Sequence, residues 1–259
     1  MGTSIVFDQA AEYYDDTRGL SPATQEAVIG QLARELDGRG RCLEVGVGTG
    51  RIALDLQGRG IDMAGVDLST GMLRKLVEKA GGRGPFPLAV ADATALPFGD
   101  RSMGGAVVCH VLHLIPTWRR AVDELVRVVR PGGLILVESA RRPGGAPSEV
   151  ARHFWSQASP AGRPRRGLAD VGELDPLMEG LGFRVRLLPP VVERSEQTLD
   201  FVIERLEAGI FSACWGLGEA VRRSAAEATR EWARARYDLA APHPYGQTIT
   251  WRAYAAPGG

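Results

Sequence analysis

Leu43-Glu-Val-Gly-Val-Gly-Thr-Gly-Arg-Ile-Ala53 decides how the rest of the chain is read. A short apolar run over residues 41–45 stops at Gly46-Val-Gly-Thr-Gly50. A helical pattern with Ile52, Ala53 and Leu56 on one face follows directly. Strand, glycine turn and helix open a parallel α/β unit, in which the glycines permit a tight turn and let a ligand approach the backbone. A dinucleotide fingerprint wants its third glycine at position 51, where this chain has Arg51. The third glycine falls one residue early, which disfavours a nicotinamide-dependent reductase.

Working outward, strand-like runs alternate with helical ones. Residues 61–67, 86–91, 105–109 and 134–137 read as strands. Ser69 caps a helix carrying Met72, Leu73, Leu76 and Val77, which Gly81-Gly82 stops. Trp118, Ala121, Val122, Leu125 and Val129 form a further helical stripe that Pro131-Gly132-Gly133 ends. Such alternation, with strands apolar on both faces, predicts a parallel sheet covered on both sides by helices. The Arg-, Gly- and Pro-rich stretch 141–167 reads as loops with a short helix near 149–155. Residues 174–181 read as a helix and 183–188 as a sixth strand. Two helical patterns follow, one through Leu199, Val202, Ile203, Leu206 and Ile210, the other through Val221, Ala225, Ala228 and Trp232. Residues 247–254 alternate with period two and make a last strand.

Three acids sit where this sheet would open. Glu44 precedes the glycine turn by two residues, Asp67 ends the second strand and Asp92 ends the third. Ligands of open α/β sheets bind at the carboxyl ends of the strands, and an acid there accepts hydrogen bonds from ribose hydroxyls. Three acids suit a ligand with a ribose, an amine and a positive centre; they do not suit phosphates.

These residues resemble class I S-adenosylmethionine-dependent methyltransferases, in particular the small-molecule (type 11, quinone-biosynthesis-like) group. Residues 43–53 resemble its first motif. Gly65-Val-Asp-Leu-Ser-Thr-Gly-Met-Leu73 is similar to the second and Ala91-Asp-Ala-Thr-Ala-Leu-Pro-Phe98 to the third. Residues 107–114 and 124–133 match the fourth and fifth, and 7–18 resembles the lead-in helix; beyond residue 140 the likeness is weak. The resemblance implies a Rossmann-like sheet of seven mostly parallel strands within one domain, 1–259. Helices over 1–40 would cover the cofactor, 41–188 would form the core, 189–245 a helical cap insertion and 246–255 a final antiparallel strand. It implies S-adenosyl-L-methionine as cofactor, leaving as S-adenosyl-L-homocysteine, and in-line transfer of its methyl group to O, N or C of a small molecule. Tyr14, Arg18, Glu44, Gly46, Gly48, Gly50, Asp67, Leu68, Met72, Asp92, Ala93 and His110 would hold the cofactor, with Arg18 near its carboxylate.

Such a transfer needs alignment and a dry site, and a base if the acceptor is a hydroxyl. His110 and His113, at the end of the fourth strand, are the candidate bases, since histidine titrates near neutrality. Phe211, Trp215 and Tyr245, from the insertion, are the candidate acceptor pocket; packing within the insertion is the other reading of them. The arginines of 141–166 read as a solvated loop or as a site for an anionic acceptor. No metal is expected: His110, His113, His153 and His243 form no evident cluster with acids in the sequence.

Composition narrows the alternatives. The 259 residues carry 31 basic and 31 acidic side chains, so no net field draws the chain to nucleic acid. Residues 109–112 read Cys-His-Val-Leu, where base-amino methylation uses an Asn/Asp-Pro-Pro-aromatic tetrapeptide. Neither nucleic acid nor membrane is expected as a partner; a monomer or homodimer is. A protein that binds the cofactor without turnover remains the other reading. Three scattered cysteines and an acidic N-terminus without signal-peptide character lead to the expectation of a cytoplasmic protein.

Overall fold

The computed structural model describes residues 6–141, 144–159 and 166–258, apart from the side chains of Arg18, Ala140 and Arg141. Eight strands form one sheet: β1 (Cys42–Val45), β2 (Met63–Asp67), β3 (Leu88–Val90), β4 (Met103–Val108), β5 (Val129–Arg141), β6 (Arg184–Leu187), β7 (Val191–Gln197) and β8 (His243–Ala255). Their order is β3-β2-β1-β4-β5-β8-β6, and β7 pairs with β8 off that path. From β3 to β5 the pairing is parallel, whereas β6 runs antiparallel to β8. Strand order reverses between β1 and β4, the switch point at which open α/β sheets leave a crevice. The helices are α1 (Tyr14–Arg18), α2 (Pro22–Leu36), α3 (Ala53–Gly58), α4 (Thr70–Lys79), α5 (Trp118–Val128), α6 (Ala146–Ala158), α7 (Leu174–Gly180), α8 (Leu199–Glu207) and α9 (Glu219–Arg234).

The chain divides into two compact units. The first comprises 1–139, 166–191 and 250–259, and the second 140–165 and 192–249. In the first, Leu43, Val45, Val66, Ala106, Val108, Ile135 and Val137 of the sheet bury against Trp118, Ala121, Val122 and Leu125 of α5. These α5 residues recur every three or four positions, so one face of the helix is apolar. Ser21 and Ser69 start α2 and α4 by accepting hydrogen bonds from the Thr24 and Met72 amides, at 3.4 and 3.1 Å. In the second unit, Val150 and Phe154 of α6, Leu199, Ile203 and Leu206 of α8, and Ala225, Ala226 and Ala233 of α9 form a separate core.

All seven expected strands are present, with four differences around them. Pro131-Gly132-Gly133 lies inside β5: Met103 pairs with Val129 and Gly105 with Leu134, so the β5 residues between them bulge out of the ladder. Proline cannot donate to a ladder, and Gly132 has φ +72°, which together permit the bulge. β7 was not expected, because Val-Val-Glu-Arg-Ser-Glu-Gln197 has no apolar face and its side chains are exposed or half-buried. α6 is longer than the expected short helix, with Pro147 in its first turn, and it belongs to the second unit together with 192–249. In α9 the buried face runs through Ala225, Ala226, Thr229 and Ala233, while Val221 is exposed. Small residues there admit close packing on α6 and α8. No helix among the described residues is long and apolar enough to cross a membrane.

Candidate functional site

The site lies in the first unit. Gly46 and Gly48, just past β1, have φ of +70° and +54°. A Cβ on Gly46 would stand 2.2 Å from Val111 Cγ2, so only glycine fits both the backbone and the space. The Gly46 and Val47 amides donate to the Val66 carbonyl at 2.8 and 2.9 Å, which folds the turn back over the end of β2. There Asp67 clamps two loops: Oδ2 accepts from the Gly48 amide at 2.9 Å and Oδ1 from the Ser69 amide at 2.8 Å. Burial raises the Asp67 pKa, and its backbone donors oppose that rise. A carboxylate oxygen accepts more than one hydrogen bond, so Asp67 keeps capacity for a ligand hydroxyl. At the end of β3, Asp92 Oδ1 accepts from the Thr94 amide at 2.9 Å and its hydroxyl at 2.8 Å, which fixes the turn.

The N-terminal segment is tied onto these loops. Asp8 Oδ1 accepts from the Ser69 hydroxyl and from the Gly71 amide at 2.9 Å, and these bonds lower its pKa. Thr49 donates to Asp15 at 2.6 Å, and Lys79 pairs with the same carboxylate at 2.9 Å. Phe7 and Tyr14 thereby stand in the wall of a cavity of about 670 Å³, counting its part open to solvent. The glycine turn, Val66 to Leu68, Met72, Ala91 to Ala93, Cys109 to Val111, Leu114 and Ile115 complete the lining. A smaller pocket of about 270 Å³ shares Tyr14, Gly46, Gly48 and Cys109, and adds Glu44, Thr49 and Arg51.

Glu44 is the electrostatic anomaly. It is 2% exposed, and its Oε2 is buried without a hydrogen-bond partner. Burial pushes its pKa up to about 8, with the Arg51 guanidinium and the Ala53 amide working against that. A buried carboxyl with an orphaned oxygen beside a pocket suits a cationic group of a ligand.

Beyond the pocket the network continues. Arg51 Nη2 donates to Cys109 Sγ at 3.3 Å, Cys109 Sγ donates to Glu138 Oε2 at 2.8 Å, and His110 Nε2 lies 3.1 Å from the same oxygen. Burial and the Glu138 charge raise the Cys109 pKa well above its ordinary value, so the thiol is neutral. The sequence suggested no histidine–acid cluster, yet Cys109, His110 and Glu138 offer three ligand atoms within 4.8 Å of one another. The three side chains are joined through the Glu138 oxygen, with the Arg51 guanidinium at the Cys109 thiol.

Of the expected cofactor residues, Tyr14, Gly46, Gly48, Asp67, Leu68, Met72, Asp92, Ala93 and His110 line the main cavity, and Glu44 lines the smaller pocket. Gly50 lines neither; at φ +81° a Cβ there would meet Leu54 and Leu76 at 2.9 Å, so packing alone requires glycine at this position. Arg18 ends α1, and its side chain lies outside the described residues, as do Arg142, Arg163 and Arg165. His113 departs from expectation: the chain turns through one 3-10 turn after β4, which buries Leu112 and leaves His113 exposed and off the cavity wall. Phe211, Trp215 and Tyr245 belong to the second unit. Phe211 packs on that unit's core, the Trp215 indole donates to the Gly209 carbonyl at 3.1 Å, and the Tyr245 carbonyl accepts from Ser195. Sequence reasoning passed over Arg51 and Glu138 as site residues. Glu138 follows the apolar run Leu134-Ile-Leu-Val137, so the strand-end rule that selected Glu44, Asp67 and Asp92 also selects it.

Residues 43–137 match the family described as a methyltransferase domain. A demethylmenaquinone methyltransferase of Beutenbergia cavernae is 31% identical over 158 residues, covering 59% of this chain and 63% of the relative. The match therefore spans less than two thirds of that relative's length. Among solved structures, the YcgJ protein of Bacillus subtilis superposes with a TM-score of 0.62 at 18% identity, covering 90% of this chain and all of the other. Phosphoethanolamine N-methyltransferase 2 of Haemonchus contortus, in complex with S-adenosylhomocysteine, gives a TM-score of 0.57 at 19% identity, covering 96% of this chain and 57% of the other. At such identities the structural likeness concerns the fold.

Proposed function

We propose, since residues 43–137 match the methyltransferase-domain family and the fold is a Rossmann-like α/β one, that the chain is an S-adenosylmethionine-dependent methyltransferase acting on a small hydroxylated aromatic molecule of the quinol class. The observation that carries this reading is the Asp67 clamp beside the Gly46–Gly48 turn, with Glu44 and its unpartnered Oε2 in the adjoining pocket. The residues fit the cofactor. Asp67 accepts from the ribose hydroxyls, Asp92 and the Ala93 backbone meet the adenine, and Glu44 answers the ammonium of the amino-acid tail. When bound, the sulfonium supplies an electrophilic methyl group and leaves as a neutral thioether.

The protein's own work is alignment, exclusion of water and handling of a proton. Phe7, Tyr14, Met72, Val111, Leu114 and Ile115 give the cavity its apolar wall. The Asp8 and Asp15 bonds hold the N-terminal segment against the glycine turn and the loop after β2. His110, at the cavity wall, takes the acceptor's proton. The quinol class is supported by the name of the Beutenbergia relative. The test is formation of S-adenosylhomocysteine when the protein is incubated with S-adenosylmethionine and 1,4-dihydroxynaphthalene. Product above the acceptor-free control supports the reading. Tight cofactor binding with no product from this or other phenolic acceptors favours a cofactor-binding protein without turnover.

A further inference from the structure

His110 holds φ +55°, a left-handed backbone that residues other than glycine seldom adopt. Strain of this kind persists where surrounding contacts over-determine it. Here the contact is Glu138, whose side chain is 4% exposed and lies 3.1 Å from His110 Nε2. We propose that Glu138 is a positioning residue that fixes His110 as the proton acceptor for the methyl-accepting molecule, an inference that rests on the methyltransferase reading above.

With Nε2–H donating to Glu138, the neutral ring carries its lone pair on Nδ1. His110 lines the main cavity, and the buried Glu138 is not part of its wall. The Cys109 thiol donates to the same Glu138 oxygen at 2.8 Å and so fixes the carboxylate from a second side. Arg51, at 3.3 Å from Cys109 Sγ, keeps a positive charge near the buried acid, while Glu44 and Tyr14 face Arg51 from the glycine turn and α1. The arrangement is suited to one proton. The acceptor's O–H bond breaks, an Nδ1–H bond forms, and the oxygen keeps the electron pair that makes the acceptor nucleophilic. The imidazolium then sits against the Glu138 carboxylate, and it returns the proton to water once product leaves. An acid one residue beyond an apolar strand run, bonded to the other ring nitrogen of a cavity histidine, is the arrangement that orients a base in many sites.

The test uses full-length protein labelled with 15N-histidine, in which His110→Gln assigns the His110 ring signals. Wild type, Glu138→Gln and Glu138→Asp are followed by ring-nitrogen shifts across pH and by S-adenosylhomocysteine formation with 1,4-dihydroxynaphthalene. Calorimetric titration with S-adenosylhomocysteine checks the binding site of each. In the wild type the neutral His110 ring should be protonated at Nε2. Glu138→Gln should move its titration midpoint to lower pH by about one unit, since a carboxylate neighbour favours imidazolium. It should also lower kcat at least about tenfold, out of the roughly 10²–10⁴-fold that a positioned general base contributes, with cofactor affinity within about twofold. Glu138→Asp should recover part of the rate. A ring titration and rate unchanged by Glu138→Gln, with cofactor binding intact, overturn the positioning role alone. Absence of cofactor binding by wild type brings down the methyltransferase reading instead. If the naphthoquinol proves not to be an acceptor, the ring titration decides the Glu138 role.

Discussion

Replacing Glu44 by glutamine should stabilise the protein, by an amount that grows as pH rises from about 4.5 to about 8. The folded Glu44 carboxyl titrates at about 8, against an ordinary 4.5. Between those values the native state holds a proton that the unfolded chain has lost. Native stability therefore falls as pH rises through this window, and levels off above it. At about 1.4 kcal/mol for each pH unit of displacement, the loss has a ceiling of about 5 kcal/mol. Relaxation around a charged Glu44 and Arg51 makes about 2–4 kcal/mol the working expectation. Glutamine keeps the size and remains neutral throughout. Urea unfolding at pH 5 should give nearly equal stabilities for the two proteins, and at pH 9 the variant should be the more stable. The same substitution should weaken cofactor binding, because the amide cannot balance an ammonium. A stability difference independent of pH would refute the assignment of Glu44 as a buried proton-holding acid.

Four further outcomes follow from the geometry. Asp67→Ala should weaken S-adenosylhomocysteine binding by about 1–3 kcal/mol, the scale of a lost buried acceptor, measured by calorimetry; unchanged affinity would remove Asp67 from the ribose site. Gly46→Ala should lower thermal stability by at least about 1 kcal/mol, because the new methyl group meets Val111 Cγ2, and Val111→Ala in the same chain should restore part of that loss. Asp8→Ala should raise the protease sensitivity of residues 6–18, since it frees the Ser69 hydroxyl and the Gly71 amide. The Asp8 pKa is lowered, so its hold is present above the ordinary aspartate range and is lost as pH falls through the lowered value. His113→Ala should leave turnover near wild type because that ring stands off the cavity wall, whereas His110→Gln should slow it about 100-fold or more; the reverse ranking would exchange their roles.

The glycine-turn side of the candidate site was legible because its determinants are local. A glycine turn after β1 and acids at the ends of β1, β2 and β3 lie within some fifty residues of sequence, and strand-end position alone brings Glu44, Asp67 and Asp92 to one edge of the sheet. His110 and Glu138 meet for a different reason. β4 and β5 are neighbours, with Val108 opposite Val137, so the residues just beyond them come into reach. That register depends on the bulge in β5, which Pro131-Gly132-Gly133 disguised as a simple turn. β7 escaped notice because an exposed, charged strand carries no period-two apolar signal. The second unit was legible as the insertion over 189–245, but its 140–165 part was not, since residues 166–191 of the first unit separate the two stretches in sequence. The α9 face was misjudged because Val221 and Trp232 are larger than the alanines that pack there.

On the proposed function, the crevice at the carboxyl ends of β1 to β4 binds a nucleoside joined to a cationic amino-acid tail. Titrating the purified protein with S-adenosylhomocysteine and separately with NAD, in a calorimeter at constant salt, tests it most directly. The thioether should bind saturably at one site, and the dinucleotide should give no heat. Binding of NAD with none of S-adenosylhomocysteine would contradict it.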